Sequence, residues 1–228
     1  MPEGGKEGKA SGQLHRADFC YLFLYSEGLM RIIVILVGGI AAGIAGWFLG
    51  GYSAKAALAN TGSVYDTFEM TKSGWLFSDK IGSADAPPIE RARVALGGPL
   101  GLSASEVIYF IATIDRDGDT LTSSCTYRMT GPALDTRWWS LTLYDFETQN
   151  YVPNDLRRSS FNNHNVPRAD DESWQILVSP TEQEGAWLPT QSEPDQQFEL
   201  NLRLYNPSDE TRQAAPNIEL PIVEKVSC

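Results

Sequence analysis

The feature that most constrains this chain is Ile32 to Leu49, I-I-V-I-L-V-G-G-I-A-A-G-I-A-G-W-F-L, a run with no charge and no proline. As a helix it reaches about 27 Å, close to the hydrocarbon thickness of a bilayer at about 30 Å. A helix without a polar face has no side to turn toward water. The sequence therefore predicts a transmembrane anchor over residues 30–52. Trp47 and Tyr52 stand where interfacial aromatics hold a span in register. Gly39, Gly43, Gly46 and Gly50 fall on one stripe of that helix, an arrangement that lets a partner helix approach closely.

Residues 1–29 are Gly-, Lys- and Glu-rich at first and then read D-F-C-Y-L-F-L-Y. Met30-Arg31 directly precedes the apolar run, as a start and a short basic region would. Residues 1–29 thus read as a disordered or non-native extension, in which His15 and Cys20 carry no function. Ala54-Lys55-Ala56 resembles a signal-peptidase site, so a cleaved signal peptide is the rival reading. The length of the apolar run favours an uncleaved anchor, and either reading exports the remainder of the chain. Arg16 and Arg31 before the run and Lys55 after it give a slight positive-inside bias.

The formal net charge is −11, and the acidic excess lies almost wholly beyond residue 55. A nucleic-acid binder would need a basic face, so that class is excluded. An acidic surface serves solubility. The three cysteines, Cys20, Cys125 and Cys228, contain no C-x-x-C, and the histidines are His15 and His164 alone. No zinc ribbon, redox motif or His-rich metal centre can be built from them.

After a connector over 53–74, Pro88 to Leu96 reads as a short helix, with proline near its start and Gly97-Gly98 at its end. From there the pattern is β. Val107 to Ile114 is apolar on both faces, as in a central strand. Leu121, Ser123, Cys125, Tyr127 and Met129 share one face of the next segment. Trp174, Ile176 and Val178 alternate, as do Phe198, Leu200, Leu202 and Leu204 against Glu199, Asn201 and Arg203. Strands separated by Pro-, Gly- and Asn-rich loops predict an antiparallel β-sandwich.

Arg137 to Asp145, R-W-W-S-L-T-L-Y-D, sharpens this. Neighbours on a strand face opposite ways, so Trp138 and Trp139 cannot enter the same core. Trp139, Leu141 and Leu143 form the core face. Trp138, Ser140, Thr142 and Tyr144 form a mixed face of rings and hydroxyls, suited either to sugar or peptide stacking or to cover by the loop after the strand.

C-T-Y-R-M (125–129), R-W-W-S-L-T-L-Y-D (137–145), Y-V-P-N (151–154), W-L-P-T (187–190) and L-R-L-Y-N-P (202–207) occur in an order that resembles the bacterial domain of unknown function 1214 family. R-A-R-V-A-L-G-G (91–98) and L-P-I-V-E-K-V-S-C (220–228) resemble its short, membrane-anchored branch. The resemblance covers about residues 75–228 and implies a jelly-roll-like β-sandwich. It implies no catalytic residues.

The chemistry on offer is sparse. Cys228 is one candidate partner for Cys125 once the domain is exported; a buried free thiol is the alternative. D-R-D-G-D presents Asp115, Asp117 and Asp119, but its spacing departs from a calcium loop and fits an Asp-Gly hairpin turn. There is no G-x-S-x-G elbow, and His164 lies in the polar loop N-N-H-N. G-G-P-L-G lacks a phosphate-loop context.

The expectation is a single-pass protein of the bacterial inner membrane, held in lipid by residues 32–49, with an acidic β-sandwich over 75–228 in the periplasm. That domain is expected to act as a protein-interaction or assembly module, without evident catalysis, cofactor or metal. The alternative is a carbohydrate-binding module using Trp138, Tyr144, Tyr151 and Trp187, and more remotely an uncharacterised hydrolase.

Overall fold

In the computed structural model, residues 14–59, 64–97, 101–190 and 196–228 are described, and the chain divides into two units, Met1–Asn60 and Thr61–Cys228.

The described residues of the first unit form one helix, α1 (Leu14–Ala59). Within it lies the candidate span Gly28–Ala57, whose most apolar 18-residue stretch has a mean hydropathy of 2.5 and no buried residue. Thirty helical residues reach about 45 Å, long enough to cross a bilayer with its headgroup regions. Residues 14–29, from the segment read as a disordered or non-native extension, and residues 53–59, from the segment read as linker, are helical and continuous with the apolar run. Residues 1–13 and the side chains of His15 and Cys20 lie outside the described residues.

The second unit begins earlier than residue 75. A 3-10 turn at Val64–Thr67 leads into β1 (Glu69–Met70), β2 (Leu76–Phe77) and α2 (Pro88–Gly97). Next come β3 (Val107–Ala112), β4 (Thr126–Gly131), β5 (Thr136–Asp145), β6 (Ser160–Asn162), β7 (Trp174–Ser179) and β8 (Trp187–Pro189). β9 (Phe198–Pro207), the short helix α3 (Asp209–Ala214) and β10 (Ile222–Ser227) complete it. Six strands pair in the order β1-β2-β3-β9-β5-β6 and four in the order β10-β4-β7-β8. The fold is mainly β, as the alternation requires. The all-antiparallel expectation is corrected at one edge, where β8 pairs with β7 in parallel.

The inner faces of both sheets share one core. Phe110, Leu141, Leu143, Leu200, Leu202 and Leu204 of the larger sheet join Tyr127, Met129, Ile176, Val178 and Val223 of the smaller. The paired tryptophans separate as strand geometry demands: Trp139 stacks on Trp174 in the core at 4.7 Å, and Trp138 turns to the opposite face against Tyr205 at 4.6 Å. Core indoles keep a polar partner: Trp75 Nε1 donates to the Pro221 carbonyl at 2.7 Å and Trp174 Nε1 to that of Pro132 at 3.0 Å. The face 121–129 is buried as expected, although regular pairing begins only at Thr126. Register sets Ser227 of β10 opposite Thr126 of β4. Cys125 and Cys228 are thereby brought together, with their Sγ atoms 2.10 Å apart.

Gly131 is cross-strand partner to Trp174, and the indole folds over it: a Cβ there would meet that ring at 2.1 Å. Gly131→Ala is therefore expected to displace Trp174 from Trp139. The expected cost is about 1–3 kcal/mol, typical of overpacking, read by denaturant melts, with a weakened near-ultraviolet tryptophan signal.

Candidate functional site

Alternation along β9 sends Phe198, Leu200, Leu202 and Leu204 into the core and Glu199, Asn201, Arg203 and Tyr205 to the other face of the sheet. β9 lies between β3 and β5. Tyr109 and Ser140 therefore flank Arg203, Ile111 and Thr142 flank Asn201, Tyr144 flanks Glu199, and Val107 and Trp138 flank Tyr205. A polar sheet face is ordinarily solvated. Here Glu199 is 0%, Asn201 1% and Arg203 9% exposed. The cover comes from chain on either side in the sequence. Phe68, Ile81 and Val94 pack with Val107, Tyr109 and Tyr205, Tyr65 closes over Glu199, and Tyr151 stacks on Tyr144 at 5.2 Å. Trp138 and Tyr205, both part-buried, stand at the opposite end.

Glu199 Oε2 accepts a hydrogen bond from the Tyr65 hydroxyl at 2.5 Å, and Gln149 Nε2 donates to that same hydroxyl at 3.0 Å. Tyr65 is held from above by stacking on Phe146 at 5.4 Å. Burial raises the Glu199 carboxyl above its ordinary range, against the lowering effects of Tyr65, Gln149 and Arg203. Burial, followed by the nearby Glu199 charge, pushes the Tyr65 phenol up in turn. Arg203 donates from Nη1 to Thr142 Oγ1 at 3.3 Å and from Nη2 to the Tyr144 hydroxyl at 2.9 Å. Its guanidinium lies 5.4 Å from the Tyr144 ring and 5.9 Å from that of Tyr109, within cation–π range. Glu199 Oε1 and Asn201 Oδ1 are two of the five buried side-chain oxygens without a hydrogen-bond partner among the described residues. Each such atom costs about 1–3 kcal/mol.

Of the residues expected to bind, Tyr144 lies in this polar row but is buried, Trp138 edges it, and Tyr151 is 60% exposed. Trp187 lies apart from the row: it is 8% exposed, belongs to the smaller sheet, and spends its indole N–H on the Ser179 carbonyl at 2.9 Å. Gly39, Gly43, Gly46 and Gly50 lie on the open surface of α1, where a Cβ would meet nothing within 4 Å. Among the described residues no group of acidic, His or Cys side chains gathers as metal ligands. The Asp115–Asp119 segment is a tight turn, with the backbone N–H of Asp115 bonded to the Asp119 carbonyl and Gly118 at φ 90°. The Lys225 ammonium lies 3.3 Å from the buried Asp115 carboxylate, where a cation would have to sit. His164 is exposed in its loop.

Glu199, Asn201, Arg203, Tyr109 and Tyr65 were not anticipated as site residues. The available signal was positional: a strand as long and apolar on its core side as β9 belongs at a sheet centre, where an alternating polar face can also be covered.

These features define a two-layer β domain with a buried polar strip on the larger sheet, in a chain whose N-terminal helix is apolar and long enough to span a membrane. Residues 106–209 match the DUF1214 family, described as protein of unknown function. The motif resemblance drawn from the sequence is thereby borne out over those residues. The VPA0106 protein of Vibrio parahaemolyticus, known from a crystal structure, is 28% identical with a TM-score of 0.51, over 62% of this chain and 36% of that one. An uncharacterized protein from Burkholderia cenocepacia is 21% identical with a TM-score of 0.37, over 53% of this chain and 29% of that one. The chain thus spans about a third of the length of these solved relatives. No curated protein matches it.

The Glu199 shift fixes a pH dependence. Its folded pKa lies above the unfolded value of about 4.3, so its contribution to stability is present below that value and lost as pH rises through the folded pKa. Glu199→Gln still accepts the Tyr65 hydroxyl bond without an ionisable group. Denaturant melts are expected to show the variant gaining on wild type from pH 4 to pH 8, with the gap closing on acidification. A pH-independent difference would contradict the assignment.

Proposed function

We propose that this is a membrane-anchored envelope protein whose β domain binds a polar, hydroxyl-rich small molecule along the Glu199–Asn201–Arg203 strip. The observation that carries this reading is the unpartnered amide oxygen of Asn201, 1% exposed and set between an acid and a guanidinium. Binding sites place a few converging polar groups against aromatic walls, and Trp138, Tyr205, Tyr144 and Tyr151 supply those walls. The anchor is the Gly28–Ala57 segment in the bacterial inner membrane, with the β domain in the periplasm as a short, anchored member of its family. An oxidising compartment suits a Cys125–Cys228 disulfide. Closing a loop of 103 residues, that bond would contribute about 4–5 kcal/mol in the chain-entropy model.

Assembly through helix pairing is the second reading, favoured by the open surface at Gly39, Gly43, Gly46 and Gly50. It predicts a change of oligomeric state in gentle detergent for Gly43→Leu with Gly46→Leu.

The ligand test is saturation-transfer NMR on the full chain in detergent against a panel of monosaccharides, polyols and sugar acids. Binding is expected for wild type and a loss of at least about tenfold for Asn201→Leu, the cost of one unreplaced hydrogen bond to a polar ligand. Unchanged binding in a folded variant, or no panel member bound, would reject the reading. The compartment is tested separately: protein from native membranes is expected to retain residues 28–57, resist alkaline extraction and gain about 2 Da on treatment with a thiol reductant, two hydrogen atoms for one disulfide.

A further inference from the structure

The strip contains a buried cation whose binding capacity is only partly used. Arg203 has five N–H donors, and its contacts to protein are the Thr142 and Tyr144 oxygens, both neutral hydroxyls. Among the described residues its guanidinium makes no ion pair with a carboxylate. Buried arginines are ordinarily paired, and the other close contacts here are the faces of Tyr109 and Tyr144. Glu199, on the same face, turns one oxygen to Tyr65 and is pressed toward its neutral form by burial. Between the two stands Asn201, with its side-chain oxygen unpartnered. Ser140 lies beside Arg203 on β5, and Trp138 stands next to it at the part-exposed end. In a chain of net charge −11, this covered face holds a positive charge with donors to spare, beside the Glu199 carboxyl on which that charge acts.

We infer that the strip recognises an acid: it takes a ligand that sets a carboxylate against Arg203 and hydroxyls against Asn201, Ser140 and Glu199, a sugar acid either free or at the end of a glycan. This rests on the ligand-binding proposal and narrows it. A guanidinium meets a carboxylate through two parallel N–H bonds, which makes the contact directional as well as strong. The amide of Asn201 can both give and accept bonds to ring hydroxyls. The tyrosine faces on Arg203 hold the guanidinium in place before a ligand arrives, so little of its freedom is lost on binding.

The experiment is calorimetry of the full chain in detergent micelles with D-glucuronate, D-glucose, and a disaccharide ending in glucuronate. Glucuronate is expected to bind at least about tenfold more tightly than glucose, the scale of one charge-assisted pair. Arg203→Met is expected to abolish that preference and Arg203→Lys to restore part of it. Near-ultraviolet circular dichroism checks that each variant is folded. Should Arg203→Met fail to fold, the wild-type preference and its decline as pH rises through the Glu199 ionisation decide the matter. Tighter binding of the disaccharide points to a glycan end, and tighter binding of the monosaccharide to a free acid; both support the inference. Glucose bound as tightly as glucuronate overturns it and leaves the ligand-binding proposal standing. Binding of neither sugar also overturns it, and the fate of the broader proposal is then decided by the panel.

Discussion

The structure depends on the central strands of the larger sheet being buried on both faces. β9 sits between β3 and β5, and its inward leucines are at zero exposure. That much is ordinary for a two-layer β protein. The unusual element is the other side, where an acid, an amide and a guanidinium succeed one another at two-residue intervals under a cover of chain. Burying such groups is unfavourable unless each finds a partner. The local design of the domain can be understood as the way those groups are matched, or left unmatched.

Tyr65 and Gln149 gather on Glu199, Thr142 and Tyr144 receive Arg203, and the tyrosine rings flank the guanidinium. The 3-10 turn at Val64–Thr67 is thus tied to the sheet by a phenol on a buried carboxyl, which is why the globular unit begins before the first long strand. The side-chain oxygen of Asn201 receives no hydrogen bond from the described residues. A network satisfied at its ends and open at its centre is costly as pure scaffold, since an incomplete polar network is worse than an apolar one. That cost is the physical basis of the proposed binding role.

The smaller sheet does different work. Its side chains close the core, and its edge strand β10 lies beside β4 so that the two cysteines meet. Lys225 on the same edge strand sits against Asp115 and Asp119, tying the tight turn to the sheet. Trp187 shows how an aromatic that reads as a surface ligand contact can instead be structural: its ring is buried and its N–H is spent on the Ser179 carbonyl.

Periodicity and hydropathy alone account for a large part of this molecule. An uncharged apolar run from Ile32 to Leu49 reads as a helix long enough to span a membrane, and it is one. Strict alternation in β5 and β9 has to divide those strands into a core face and another face, which placed Trp139 and Trp138 on opposite sides. The motifs from Cys125 to Pro207 carried the family. The fate of the second face, by contrast, was settled by long-range packing. Alternation is a local property and reports that Glu199, Asn201 and Arg203 share a side; whether that side meets water depends on segments dozens of residues away, here Tyr65, Phe68, Val94 and Tyr151. The helix boundaries at Leu14 and Ala59, the parallel edge at β8 and the burial of Trp187 escaped the sequence for the same reason: each depends on hydrogen bonds or contacts that no local pattern encodes.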